Sequence, residues 1–250
     1  MIDVERAGDV AIVRLNRGKV NALDVDMLGA LAGTVEGRAE GAKAIVLTGA
    51  GRAFSAGVDL QPVLDGGPEY VHRLVPAIAR LATAVFNAPV PMVAAVNGAA
   101  IAGGCVLAAA CDHRLMADTA IIGATEAAVG VPFPLAAIEV VRHACGHHAE
   151  EVVLGASVFN PSEAQAVGLV HGVRSAEDLL AAAVAEAERL AAIPIETFRI
   201  TRRQLRGAVL DRIAQHGREF DDAVAEVWSS PEVTAAIQAQ MERMAARRVT

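Results

Sequence analysis

Apolar residues gather first in Val10 to Leu15 (VAIVRL), a β-rich run followed by NRGKVNALD, whose Gly and Asn break the pattern and whose Asp24 suits a helix amino-terminal cap. This reads as strand, loop, helix. A second unit opens with Ala44 to Thr48 (AIVLT), passes through the glycine-rich GAGRAFSAG, and turns helical after Asp59; Asp65-Gly66-Gly67-Pro68 marks a break there. Helical spacing returns from about Tyr70 to Phe86. PVPMVAAVNG supplies a third strand, AAIAGGCVLAAACD a turn running into a helix, and HRLMAD a fourth strand. From Pro134 onward the pattern is helical apart from GLVHGV, near Leu169, which reads as a short strand closing the core. Strands alternating with helices predict an α/β fold with parallel pairing and helices on the faces.

The stretch from Pro194 to Thr250 has no strand pattern. Gly207, Gly217 and Pro231 punctuate it, and Val233, Ile237, Met241 and Met244 recur at helical spacing. No linker of low complexity separates it from the rest. The expected organisation is one core, residues 1–193, with a helical carboxy-terminal region, residues 194–250.

Composition narrows the picture. At 250 residues the chain is long enough for a large core, and with 54% hydrophobic but only 3% aromatic residues that core must be built from Ala, Val, Leu and Ile. The net charge is −7 and no basic stripe occurs, which argues against a nucleic-acid partner. Met92 to Ala110 is apolar enough to suggest a membrane span, but Asn97-Gly98 and Gly103-Gly104 interrupt it. Cys105, Cys111 and Cys145 are odd in number and lack paired spacing, and no signal core opens the chain, so a reducing cytoplasm is expected.

Three chemistries compete for GAGRAFSAGVDL. A dinucleotide fingerprint requires a small residue where Phe54 stands, and fails. A nucleophile elbow at Ser55 requires the serine directly after its strand, whereas several residues separate it from Thr48. The third is a turn, Ala56-Gly57-Val58-Asp59, whose backbone amides face a cleft while Asp59 caps the next helix. The plain alternative is that Gly57 only permits a sharp corner. A second loop bears on the choice: Gly103-Gly104 precedes a run of good helix formers, and a helix amino terminus presents unsatisfied amides and a positive dipole end. Two such loops can converge on one carbonyl oxygen.

The segments NRGKVNAL, FSAGVDL, AVNGAAIAGGCVLAAACD and the region from Glu126 to Pro134, in this order and spacing, resemble the crotonase, or enoyl-CoA hydratase/isomerase, superfamily over roughly residues 1 to 190. The resemblance implies a spiral core of repeated ββα turns and a helical carboxy-terminal region that mediates homotrimer contacts, with trimers able to pair. It implies acyl-coenzyme A thioester substrates of lipid metabolism, with coenzyme A as part of the substrate and no separate cofactor. It places an oxyanion hole on the amides of Val58 and Gly103, so that no metal is required. The histidines, among them His113, His143, His147 and His148, show no ligand spacing. By position, Lys19, Val20, Ala22, Ala56 and Leu60 would meet the coenzyme, with Arg17 and Lys19 near phosphate; an exposed loop cation without a ligand explains Lys19 equally well. Phe133, between Pro132 and Pro134, is a candidate acyl-pocket wall or simply core.

Hydratases of the superfamily resemble one another in having two glutamates. Here the first of those positions is Val106 and the second is Glu126, an acid in an otherwise uncharged stretch. A helix-terminal charge is the structural alternative for Glu126. With one carboxylate, the resemblance points to migration of a 3-enoyl double bond to the 2-position, with Glu126 as single acid/base. Hydration, other reactions served by the same hole, and a non-catalytic acyl-CoA binder are the competing readings.

Overall fold

Asp24 Oδ1 accepts the amide of Met27 at 2.8 Å, so the first helix starts where the sequence places its cap. The computed structural model describes residues 1–246, and for Arg38, Glu40 and Met244 the backbone alone. Its elements are β1 (Ile2–Ala7), β2 (Val10–Leu15), α1 (Val25–Glu36), α2 (Arg38–Gly41), β3 (Ala44–Gly49), β4 (Ala53–Ser55), α3 (Gln61–Phe86), β5 (Met92–Val96), β6 (Ala99–Ile101), α4 (Gly103–Ala110), β7 (His113–Ala117) and β8 (Ile122–Gly123). A 3-10 turn (Glu126–Val129) then leads to α5 (Leu135–Cys145). A second one (Gly146–His148) precedes α6 (Ala149–Val153), α7 (Pro161–Ala166), β9 (Gly172–Arg174), α8 (Leu179–Ala191), α9 (Ile195–Trp228) and α10 (Pro231–Ala246).

Two sheets share the strands. A six-stranded sheet has the order β1-β2-β3-β5-β7-β9, antiparallel only between β1 and β2, and β4-β6-β8 form a small parallel sheet. Successive pairs, β3-β4, β5-β6 and β7-β8, each give one strand to either sheet before the chain enters α3, α4 and α5. This is the spiral of ββα turns. Every residue of β3 and β5 is buried, which is why these strands read as unbroken apolar runs rather than as alternations.

Four details differ from the sequence pattern. The strand β1 carries no apolar run, because half of its residues are charged and its middle positions, Val4 included, are exposed. Asp65-Gly66-Gly67-Pro68 is a kink inside α3, not a loop: Gly67 takes φ 52°, ψ −147°, and the helix continues on both sides. Near Leu169 the chain is buried but not yet paired; the strand that joins β7 begins at Gly172. Gly207 and Gly217 do not interrupt α9, which runs through both for 34 residues.

Each glycine costs a helix about 1 kcal/mol relative to Ala, and tertiary contacts offset this. The guanidinium of Arg202 donates to the carbonyls of Phe86, Ala88 and Val90, and that of Arg206 to those of Phe86 and Ala110; both pair with Asp112, at 3.4 and 3.1 Å. These arginines satisfy the open carboxy-terminal carbonyls of α3 and α4. In α10, Val233 and Ile237 are buried and Met241 packs against the core; the side chain of Met244 and residues 247–250 lie outside the described residues. Among the described residues, no helix is long and apolar enough to cross a membrane.

Candidate active site

The two glycine-rich loops meet at Gly57. Its φ of +83° lies in the left-handed region, and a Cβ built there would fall 2.8 Å from the Cβ of Ala102, 2.9 Å from the oxygen of Ile101 and 3.0 Å from the nitrogen of Gly103. Only glycine permits that approach. A Cβ on Gly103 would stand 3.9 Å from the Val58 nitrogen, so the two amides assigned to the hole by resemblance lie side by side.

Both amides are free, each for its own reason. Val58 forms a parallel bridge with Leu23, in which Leu23 N donates to Gly57 O at 2.8 Å and Asp59 N to Leu23 O at 2.9 Å. The N–H of Val58, between them, points to the other side. Gly103 is the first residue of α4, where helical bonding leaves the amide without an acceptor. Among the described residues neither N–H has a hydrogen-bond partner. Just before it, Ala102 holds φ 54°, ψ −123°, a conformation costing of order 1–3 kcal/mol, braced by its amide on the Gly123 carbonyl at 2.8 Å.

Asn21 locks the loops in place, a role the sequence reading did not assign. It is fully buried at φ 52°. Its Nδ2 donates to the carbonyls of Ala53 and Ala50 at 2.9 and 3.1 Å, and its Oδ1 accepts the Arg17 amide at 3.0 Å. Its only sequence signal is its place in the NRGKVNAL motif. Ser55 is buried too, donating to Asn21 O at 2.8 Å and accepting from Gly57 N at 3.2 Å. A hydroxyl spent on backbone groups and shut from solvent is no nucleophile, so the elbow reading fails on geometry.

Arg17 also departs from expectation. Its guanidinium bonds Ala22 O at 3.0 Å, Asp59 at 2.9 Å and Asp24 at 2.5 Å, tying NRGKVNALD to the Val58 turn rather than offering charge to a phosphate. Asp59 therefore braces the turn and also meets the start of α3, where its Oδ1 accepts the Gln61 amide at 3.3 Å; Leu60, between them, is already helical in conformation and makes no side-chain bond. Ala56 N donates to Val20 O at 2.9 Å, which sets the two candidate coenzyme segments against each other. Lys19 and Val20 are exposed there, while Ala22, Ala56 and Leu60 are half-buried.

Glu126 opens the 3-10 turn three residues after Gly123, and Gly123 is paired with Ile101 in the small sheet. The same sheet thus positions both Gly103 and Glu126. Glu126 Oε2 is buried with no hydrogen-bond partner among the described residues. Desolvation raises its carboxyl to about 8, against a smaller opposing effect of the backbone amides of Glu126 and Thr125. A charge placed merely to complement a helix dipole would face solvent and stay ionised, so the unpartnered oxygen sets that alternative aside. The fully buried Cys105 on α4 is electrostatically coupled to Glu126, and desolvation, with that carboxylate, holds its thiol well above the ordinary range. Val106, also on α4, is buried and offers no second acid. Phe133 is buried in the core ahead of α5.

Elsewhere, a groove of about 490 Å³ along α9 is lined by Arg114, Arg202, Arg206, His143 and His171. Its arginines are committed to backbone carbonyls, so it is no ready anion site. His113 stacks on His171 at 4.6 Å, His143 meets the Phe86 ring edge-on, and His148 bonds Glu151 at 3.0 Å. Among the described residues no three potential metal ligands come together.

The enoyl-CoA hydratase/isomerase family model matches residues 5–247. A Thermus thermophilus protein named "Putative enoyl-CoA hydratase" is 37% identical over 82% of this chain and 83% of its own. The human "Enoyl-CoA delta isomerase 1, mitochondrial" is 27% identical over 98% of this chain and 83% of its own. The solved structure of human mitochondrial delta3-delta2-enoyl-CoA isomerase superposes with a TM-score of 0.93 at 26% identity, covering 98% of either chain. Spiral core, motif order and near full-length matches agree, and the chain belongs to the enoyl-CoA hydratase/isomerase family, the crotonase superfamily of acyl-CoA enzymes.

Proposed function

We propose that this enzyme moves the double bond of a 3-enoyl-CoA to the 2-position, with Glu126 as its single acid/base. The observation that carries the reading is the Glu126 carboxyl: buried, unpartnered at Oε2, and raised to about 8, beside an α4 whose matching position is Val106. Its carboxylate takes a proton from C2 of the thioester, and the electron pair moves into the carbonyl to give a dienolate. The oxygen's charge is met by the N–H groups of Val58 and Gly103. Removing one such donor typically costs about 2.7–4 kcal/mol of barrier lowering. Glu126 then returns the proton to C4, leaving the conjugated 2-enoyl thioester. No cofactor beyond the substrate's own coenzyme A enters this balance.

In this proposal Lys19, Val20, Ala22, Ala56 and Leu60 receive the coenzyme, largely through backbone groups, Phe133 backs the acyl chain, and the active assembly is a homotrimer. Glu126→Gln abolishes isomerisation, by roughly 10²-fold or more, while thioester binding persists, measured by product analysis with matched 3-enoyl and 2-enoyl substrates and by calorimetry. Retained turnover removes Glu126 from the mechanism. Hydration is the second reading, favoured by the name of the Thermus relative. Adding water across a double bond is helped by two acids, so Val106→Glu should raise the ratio of hydration to isomerisation by roughly tenfold or more. An unchanged ratio means the water site is missing for other reasons.

A further inference from the structure

The segment that carries Glu126 has few ties to the rest of the molecule. Between Gly123 and Leu135 its backbone hydrogen bonds are local: Ala128 N to Thr125 O, Gly130 N to Ala127 O and Val131 N to Glu126 O. None of the four residues of the 3-10 turn is buried, although Ala124, Val131 and Phe133 on either side are. Packing alone sets the depth of such a segment better than its orientation. Two hydrogen bonds from another element reach its far end among the described residues. Trp228 Nε1 donates to Pro132 O at 2.8 Å, and Asp221 Oδ1 accepts the Leu135 amide at 3.0 Å, the otherwise open first donor of α5. Both residues belong to the last turns of α9, seven positions apart and therefore on one face. Trp228 is itself buried, and α10 continues from it to lie against the 3-10 turn.

We infer that Trp228 and Asp221 are positioning residues for Glu126, holding the acid-bearing turn in register from the carboxy-terminal helices. The inference rests on the proposed role of Glu126. It gives α9 a second task, beyond the subunit contacts expected of that region, and makes the active site depend on two residues roughly a hundred positions downstream of the acid. Errors of about 1 Å in a reacting group can cost 10²-fold in rate, so a turn without these tethers loses catalysis before it loses fold.

The test is Trp228→Phe, which keeps a buried ring and removes the N–H, together with Asp221→Leu and Asp221→Asn, the last retaining an acceptor for Leu135. Two readouts are taken on the full-length protein. One is the titration of the Glu126 carboxyl by ¹³C NMR, assigned by difference from Glu126→Gln. Among the described residues the Cys105 thiol feels the Glu126 carboxylate, and burial holds that thiol neutral. The other is kcat against KM for a 3-enoyl-CoA. Trp228→Phe and Asp221→Leu should lower kcat by roughly tenfold or more with KM within about twofold, and move the Glu126 midpoint down toward the ordinary carboxyl range as water reaches it. Asp221→Asn should recover most of what Asp221→Leu loses. Variants whose melting temperature falls while the midpoint and kcat stay at the wild-type values overturn the inference and leave Trp228 and Asp221 as packing residues. If the wild-type chain converts no enoyl thioester at all, the catalytic reading of Glu126 fails, and the titration still decides the tether.

Discussion

At Glu126 a single carboxyl ties the proposed chemistry to stability. Its proton affinity is raised, to about 8, because burial penalises the charged form by more than the nearby backbone amides favour it. The proposed base must be ionised to take a proton, so kcat/KM for a 3-enoyl-CoA should rise with pH through a midpoint near 8, the value of the free enzyme. Stability should run the other way. The folded state keeps a proton that the unfolded chain has already released, so this group's contribution is fully present below the ordinary carboxyl value and is lost as pH rises through the folded one. Glu126→Gln should therefore melt higher than the wild type at about pH 9 and converge with it at about pH 4. A calorimetric series over pH checks the sign. Equal melting curves throughout would mean that the folded carboxyl titrates as it does in the unfolded chain.

The elements decide where two amides point. Sheet pairing at Leu23 orients the N–H of Val58 outward, and the start of α4 orients that of Gly103, with Gly57 touching both loops. Gly57→Ala is a local test of this arrangement. The new methyl would meet Ala102, Ile101 and Gly103 at 3.0 Å or less, in a backbone conformation that already disfavours a side chain. Prising the loops apart misplaces at least one donor, so kcat should drop by about 10²-fold, while residual binding of a product thioester survives. A variant with wild-type kcat would show that the loops accommodate the methyl without disturbing the amides. The Arg17, Asn21 and Ser55 bonds belong to the same scale: three polar side chains bind loops to one another and leave the amides of Val58 and Gly103 free.

Across the whole molecule, the alternation of apolar runs and glycine-bearing corners was enough to read a parallel α/β core, because strands buried on both faces must be continuously hydrophobic. The family resemblance of the motifs singled out Val58, Gly103 and Glu126, and the structure adds that the two amides lie side by side and that one Glu126 oxygen is buried. Other features were not. The strand β1 carries no buried stripe, the two- and three-residue strands of the small sheet are too short to show a period, and α9 crosses two glycines that read locally as breaks. Residues such as Asn21, Asp59, Trp228 and Asp221 have partners tens of positions away, and local pattern says nothing about such pairs. What the sequence alone determined is the succession of the longer elements and the residues available for chemistry, since both follow from periodicity and side-chain type. Only the tertiary structure decided which amides stay unpaired, that Arg17 and Ser55 serve the scaffold, and that one carboxylate oxygen is shut away from water. Those are properties of three-dimensional proximity, and a carboxyl's proton affinity follows from what surrounds it in space.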